Sequence, residues 1–320
     1  MKLTVIGGGT GIFPVLTGLK KYSQNLSAIV TMADNGGHSG FLRDELGVLP
    51  PGDVRNCLVA LADEKKQKIL RELLNFRIHY KKSGLKENVG NIILTALSQI
   101  YNDFAKAVNI LEELLEIKGR VIPVTLEKTH LVAKLENGEV VFGENNIDTP
   151  KNREKPLKIK KVWLKPTAQA NPQAIKAILE AEGIILGPGD LYTSIIPNLI
   201  VKGIKNAIAK SKAKVIYIVN LMTKAGETDN FKAIDFVKVI EKFLPPKRLN
   251  AVIINTSRFP KKILALYQKQ KSVPVKFDQT DFIGSYYSVY SANVASWRAN
   301  LIRHHPDKLA RLILSIILTP

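Results

Sequence analysis

The chain is poor in the residues that mark secreted, membrane-spanning or metal-stapled folds. One cysteine, Cys57, among 320 residues excludes an internal disulfide framework and fits a reducing compartment. It lies in the apolar run "RNCLVAL" and reads as a packed side chain, not a nucleophile. No apolar run reaches the roughly 18 residues of a membrane span. The stretch "LARLILSIILTP" is short, Arg311 interrupts it, and it reads as a packed helix. Gly7 to Gly11 breaks any hydrophobic leader and no small-residue cleavage site follows, so no signal peptide is expected and the expected location is the cytoplasm. The five histidines, His38, His79, His130, His304 and His305, are scattered without metal-ligand spacing. Neither an H-E-x-x-H nor a G-x-S-x-G motif occurs.

Acidic residues are scarce too: 28 stand against 47 Lys and Arg, for a net charge of +19. Such an excess raises the possibility of nucleic-acid binding. The lysines are dispersed, however, and only "PKNREKPLKIKKVWLKP" (150–166) is dense, with no nucleic-acid motif beside it. The excess reads as a basic surface that attracts anionic ligands, and nucleic acid is not expected as a partner. The remainder, 45% hydrophobic and 23% charged, is ordinary globular composition, which excludes a disordered chain.

What is present is an alternation of strands and helices. "KLTVIG" and the nearly all-apolar "LSAIVTMAD" read as buried strands. "FPVLTGLKKY" reads as a helix with Pro14 in its first turn, where a missing N–H costs nothing. "DVRNCLVAL", "KILRELLNFRI", "NVGNIILTAL" and "DFAKAVNILEELLEI" read as helices, the second with Ile69, Leu70, Leu73 and Leu74 at helical spacing. "LVAKLENGEVVFGE" reads as a hairpin turning at Asn137-Gly138. Strands at "GIILG", "KVIYIVN" and "NAVIIN" then alternate with helices over 171–181, 203–210, 232–243 and 260–270. The expected fold is α/β, a Rossmann-like doubly wound and mostly parallel sheet with an inserted β-hairpin. A single domain over 1–320 is expected, the charged stretch 148–160 being the one candidate break.

Four loops, each following a strand, carry the candidate chemistry. The first, "GGGTG", puts Gly8, Gly9, Thr10 and Gly11 at a helix start, where backbone N–H groups could meet a phosphate. It is not a full dinucleotide fingerprint, since Ile12 and Pro14 stand where the third glycine would be, and it is not a Walker A loop. The second, "ADNGGHSGFLRDELGVLPPGDVRN", combines Asp34, Asn35, Gly36, Gly37, Ser39 and Gly40 with Arg43, Asp53, Arg55 and Asn56. It reads as a flexible glycine-rich loop whose amides and guanidinium groups suit a diphosphate, with two carboxylates able to hold a divalent metal. The third, "GPGDLYTS", brings Gly187 and Gly189 with hydroxyls at Tyr192, Thr193 and Ser194. The fourth, "NLMTKAGETDNF", brings Asn220, Thr223, Glu227 and Thr228 to the sheet's carboxyl edge.

Together, "GGGTG", "ADNGGHSG", "LGVLPPGDVRNCLVALAD", "GNIILTAL", "GPGDLYTSIIPNL" and "NLMTKAGET" resemble the CofD/YvcK-type family, in wording the gluconeogenesis-factor-like branch, from Met1 to about His305. The resemblance implies a CofD-like α/β fold and one of two activities. One branch comprises magnesium-dependent transferases that move a phospholactyl-type group from a guanylylated donor to a deazaflavin. The other comprises cytoplasmic factors of gluconeogenic growth and cell shape that bind UDP-sugars. Carried over, the nucleotide site draws on Gly8 to Gly11, Asp34 to Gly37 and Gly187 to Gly189, with Asn220 and Thr223 opposite. In the transferase reading Asp34 and Asp53 are the catalytic, metal-holding carboxylates. Many relatives read "ADDGGSSG" and then Arg; this chain has Asn35, His38 and Phe41 there, which weakens the metal site more than the ligand site. The implied function is a gluconeogenesis and morphogenesis factor that binds a UDP-sugar and regulates carbon and cell-envelope metabolism. The alternatives are the Mg-dependent transferase and a NAD-type dinucleotide binder. The expected partners are a nucleotide-sugar or related diphosphate and an unidentified protein. Self-association is left open.

Overall fold

The computed structural model of the protein describes residues 1–81, 86–150 and 157–319. In chain order the elements are β1 (Lys2–Gly7), α1 (Gly9–Leu19), β2 (Asn25–Val30), α2 (Gly37–Leu46), α3 (Gly52–Leu61), α4 (Lys68–Asn75), β3 (Arg77–His79), β4 (Lys86–Asn88), α5 (Val89–Tyr101), α6 (Phe104–Leu114) and β5 (Arg120–Pro123). An inserted module follows: β6 (His130–Leu135), β7 (Val140–Phe142), α7 (Glu144–Asp148) and β8 (Ile159–Lys165). The second half holds α8 (Pro172–Glu180), β9 (Gly183–Leu186), α9 (Ile196–Leu199), α10 (Ile204–Lys210), β10 (Lys214–Ile218), α11 (Ala233–Phe243), β11 (Ala251–Asn255), α12 (Lys261–Lys269), β12 (Ser288–Ala292), β13 (Ala295–Arg298), β14 (Leu301–His304) and α13 (Pro306–Leu318).

Seven strands form one sheet in the order β12-β11-β10-β9-β1-β2-β5, and each neighbouring pair is parallel. Leu3 sits between Leu26 on one side and Gly183 on the other. The period of two sorts the strand residues into two core layers. Ile6, Ile29, Leu186 and Tyr217 face one; Val5, Ala28, Ile185 and Ile216 face the other. Burial on both faces explains why these strands read as continuous apolar runs and not as alternating ones. This is the doubly wound α/β fold expected from the strand–helix rhythm.

The inserted hairpin belongs to a three-stranded antiparallel sheet, β7-β6-β8. Its turn has three residues instead of the two that Asn-Gly favours. The Gly138 N–H donates to the Leu135 carbonyl and Gly138 takes φ 92°, a bulged type I turn. Of the basic segment 150–166, residues 159–165 are β8, whereas 151–156 lie outside the described residues, as does part of the candidate break at 148–160.

Three local readings are corrected. Helix α1 begins at Gly9, so Pro14 lies in its interior and not in its first turn. The lost donor falls on the carbonyl of Thr10, an exposed residue at the helix start. The glycines after Asp34 do not form a loop: α2 starts at Gly37 and ends at Gly47, a left-handed cap at φ 65°. Helix is possible there because Gly40 lacks a Cβ, which would fall 2.1 Å from the Asn35 carbonyl oxygen. Helix α4 exists, but it buries only Leu74; Ile69 is 80% exposed and Leu73 is exposed as well.

Candidate functional site

Chain order reverses between β1 and β9. From β1 the sheet grows through β2 to β5, and from β9 through β10 and β11 to β12. Such a switch point splays the loops at the carboxyl ends of the two central strands and leaves a crevice between them. A cavity of about 540 Å³ lies there. Thr10, Gly11, Gly189 and Ser194 line it at the switch point, Asn220, Thr223 and Lys224 beyond β10, and Tyr267, Arg303 and His304 on the far wall.

Two of the loop glycines are explained by contact between backbones. A Cβ on Gly11 would fall 2.4 Å from the Pro188 carbonyl oxygen, and one on Gly9 would fall 2.3 Å from that of Asp53. Their absence lets α1 seat against the β9 loop and the start of α3. No side chain caps α1 at Gly8, and its first intrahelical donor is Ile12. The Gly9 N–H is taken by the Asp53 carboxylate. The N–H groups of Thr10 and Gly11 have no intrahelical acceptor and stand at the cavity.

Around this point six carboxyl groups converge from five elements or loops: Asp34 after β2, Asp53 on α3, Glu144 and Asp148 on α7, Asp190 after β9 and Glu227 after β10. Burial, reinforced by the Asp34 charge, pushes Asp53 up to about 7, against the Gly9 hydrogen bond and Arg55. Burial together with the charges of Asp34, Asp148, Asp53 and Glu227 pushes Glu144 up to about 9. Burial and Asp190 push Glu227 up to about 8, although Lys224 and the Thr193 hydroxyl oppose the shift. Burial raises Asp34 as well, against hydrogen bonds from the Gly36 N–H and the Ser39 hydroxyl. The cluster therefore stores protons at neutral pH instead of presenting six full charges.

Lys224 is the cation set among Asp148, Asp190 and Glu227. Lys224 Nζ contacts Asp148 Oδ1, lies 2.7 Å from Asp190 Oδ2 and 3.9 Å from Glu227 Oε1. Burial disfavours its charge, but Asp190, Glu227 and Asp148 outweigh that and hold its pKa above the usual lysine value. These three carboxylates have the spacing of a metal site, and the ammonium of Lys224 sits among them. Glu227 also accepts from Thr193 Oγ1 at 2.8 Å and from the Tyr192 N–H at 3.0 Å.

The residues singled out in the sequence separate on this geometry. Gly8, Gly9, Thr10, Gly11, Gly187 and Gly189 meet at the switch point, and Asp53 joins them through Gly9. Asp34 Oδ1 accepts from the Gly36 N–H at 2.8 Å and lies beside Asp53. Gly37, at φ 49°, has open space where a Cβ would be. Asn35 turns to the inserted module: its Oδ1 accepts from the Asn145 N–H on α7 at 2.8 Å. Arg55 turns away from the cavity, with donors on Asn91, Asn75, Asn56 and the Leu74 carbonyl. Asn56 reaches back to Thr10 Oγ1 at 3.1 Å. Asn220 lines the cavity with its Oδ1 buried and unpaired among the described residues. Thr223 also lines it, its hydroxyl accepting from the Val273 N–H. Sequence reasoning missed Glu144, Asp148, Asp190, Lys224, Tyr267 and Arg303. Of these, Asp190 and Lys224 sit inside loops already recognised as strand-terminal and could have been found there.

A family model described as "2-phospho-L-lactate transferase CofD" matches residues 3–295. A Nostoc protein provisionally named a gluconeogenesis factor is 44% identical over 315 residues, covering 98% of this chain and 68% of its own. The Bacillus subtilis protein named gluconeogenesis factor is 36% identical over 317 residues, covering 99% and 98%. A crystal structure of a UPF0052 family member from Bacillus halodurans superposes with a TM-score of 0.91 at 34% identity, over 98% of this chain and 99% of that one. Among the described residues no helix is long and apolar enough to cross a membrane.

Proposed function

This chain belongs to the CofD family, and from that premise we propose that it is a gluconeogenesis factor whose switch-point cleft binds a nucleoside-diphosphate sugar of the UDP-sugar kind. The observation that carries the reading is the cleft itself. Uncapped N–H groups of Thr10 and Gly11 stand beside the β9 loop, and a cavity of about 540 Å³ continues from them to Asn220, Tyr267 and Arg303. A diphosphate would sit on the α1 amides. Its sugar or nucleoside hydroxyls would meet Asn220 and the carboxylates of Asp148 and Asp190, which line the cavity. Binding of this kind would report nucleotide-sugar supply to carbon and cell-envelope metabolism.

The proximity of Asp34 to Asp53, whose carboxyl it helps to raise, favours a second reading, Mg-dependent group transfer. Two neighbouring carboxyls, both held above the usual carboxylate range by burial, are a donor set a hard divalent cation fits, and Asp34 and Asp53 would hold it. Bound there, the cation would supply charge neutralisation to a departing phosphate. Asp53 would orient the cation-facing oxygens through its Gly9 hydrogen bond, and Lys224 would hold Asp190 and Asp148 in place.

Calorimetric titration with UDP-N-acetylglucosamine, GDP and NAD, each with and without magnesium, separates the readings. Magnesium-independent binding of the UDP-sugar that is lost in Asp34→Ala is expected. Binding of GDP alone, only with magnesium, would overturn it in favour of the transferase, and a tight NAD complex indifferent to UDP-sugars in favour of a dinucleotide binder.

A further inference from the structure

We propose that Arg55 is a positioning residue of the cleft. As a hub that can only donate, it fixes the direction of two hydrogen-bond chains, one ending on the Thr10 hydroxyl and the other on the Ser39 hydroxyl. Thr10 thereby presents a proton, and not a lone pair, to an anionic ligand. The inference rests on the reading that a phosphate oxygen lies at Thr10.

A guanidinium has donors and no acceptor. Arg55 Nη2 donates to Asn56 Oδ1 at 2.8 Å, which forces the Asn56 amide to turn its nitrogen outward. That nitrogen donates to Thr10 Oγ1 at 3.1 Å. With its oxygen facing Asn56, the Thr10 hydroxyl directs its proton elsewhere, and Thr10 is an exposed residue lining the cleft. The second arm has the same polarity. Arg55 Nε donates to Asn91 Oδ1 at 3.0 Å, Asn91 Nδ2 to Ser39 Oγ at 3.3 Å, and the Ser39 hydroxyl to the Asp34 carboxylate. Reversing either asparagine amide would set its NH2 against the guanidinium.

The hub is anchored. Arg55 Nη1 donates to Asn75 Oδ1 at 2.9 Å and to the Leu74 carbonyl at 3.2 Å. A Cβ on Gly90 would lie 2.7 Å from Arg55 Cδ, so the Arg55 stem packs directly on the α5 backbone. Arg55 is 6% exposed, and all its hydrogen-bond partners among the described residues are neutral. A buried cation whose hydrogen bonds all go to neutral acceptors, with only the charge of Asp53 nearby to favour it, is an expensive way to fill space, since an apolar side chain of that volume would avoid the desolvation. What a donor-only group adds is direction. It joins the two ends of the candidate site, Thr10 at the α1 start and Asp34 at the end of β2, so that both hydroxyl protons point one way.

The test inverts one chain without changing its shape. Asn56→Asp is isosteric but only accepts, so it keeps Arg55 paired and draws the Thr10 proton back. Titration calorimetry with UDP-N-acetylglucosamine and, separately, inorganic pyrophosphate is run on the wild type, Asn56→Asp, Thr10→Val and the double variant, beside thermal melts. Asn56→Asp is expected to melt no lower than the wild type yet bind both probes about tenfold more weakly, the effect of one charge-assisted hydrogen bond. Thr10→Val should lose about as much, the double variant no more than Thr10→Val alone, and Thr10→Ser should restore binding. Fully additive losses would assign the effect to the charge at position 56 and overturn the inference, as would a Thr10→Val protein within twofold of wild type. If Asn56→Asp does not fold, Asn56→Ala replaces it in the same cycle, with the same non-additivity expected. A wild type that binds pyrophosphate but not the UDP-sugar removes the nucleotide-sugar reading, and the pyrophosphate arm then decides the inference. A wild type that binds neither overturns both.

Discussion

Replacing Gly11 by Ala sets two opposing effects against one another, and their sign can be worked out in advance. In an unobstructed helix the change stabilises by about 0.5–1 kcal/mol, because glycine loses more backbone freedom on folding. Here the new Cβ would stand 2.4 Å from the Pro188 carbonyl oxygen and 2.6 Å from the Gly189 Cα. An ordinary carbon–oxygen contact needs about 1 Å more. Both obstacles are main chain, and the β9 loop is tied to β1 by the Gly187 N–H to Ile6 carbonyl bond, so no side chain can yield in their place. Overpacking of this kind costs about 1–3 kcal/mol. The net expectation is a loss of about 1–2 kcal/mol in equilibrium urea unfolding. Spreading α1 from the β9 loop should also draw the α1 amides off the ligand and weaken UDP-N-acetylglucosamine binding about tenfold, the effect of one charge-assisted hydrogen bond. A Gly11→Ala protein as stable as the wild type, or more so, would refute the claim that the glycines serve this packing.

The remaining predictions concern the carboxyl cluster. Asp53, Glu144 and Glu227 hold protons in the folded protein up to about 7, 9 and 8, well above their values in an unfolded chain. The native state therefore binds more protons than the unfolded state across that range, and stability should fall as pH rises from about 5 to 9, by up to about 1.4 kcal/mol per pH unit for each group still protonated. Thermal melts that peak at pH 8 would contradict this. Asp53→Asn should raise stability at pH 8 by about 1 kcal/mol while abolishing any magnesium-dependent turnover; a destabilised variant would show that the charge is not strained. Lys224→Met should cost about 2 kcal/mol at pH 8 and less at pH 5, where the carboxyls it leaves behind can protonate; equal losses at both pH values in urea titrations would argue against its role as their counter-ion.

How much could be read without coordinates depended on where each residue stands relative to the sheet. The strands β1, β2, β9 and β10 were legible because burial on both faces leaves unbroken apolar runs, and an open α/β sheet places ligands at their carboxyl ends. That argument leads to Gly8, Asp34, Gly189 and Asn220 directly. It cannot reach Glu144 and Asp148, since α7 is carried by an insertion whose direction of folding back is a tertiary matter. Nor can it reach Tyr267 and Arg303, on α12 and β14, which return to the cleft from beyond β11. Arg55 shows a different limit: its type and loop suggested a phosphate ligand, but a helix of 3.6 residues per turn pointed it to α4 and α5 while Asp53, two positions earlier, faces α1. Helix α4 matched its periodicity, yet periodicity carries no information on whether anything packs against that face.

The pairing of β1 with β9 also has a consequence in time. Leu3 and Gly183 are neighbours in the sheet but about 180 residues apart along the chain. At about 5–20 residues per second, a ribosome delivers the second roughly 10–40 s after the first. Throughout that interval the glycine loop of α1 has no opposite wall, and β1 shows an open edge. The nascent chain must wait with β1 and β2 able to pair but the binding crevice absent. Truncated products ending before β9 would carry the most recognisable motif of the sequence and none of the cleft it serves.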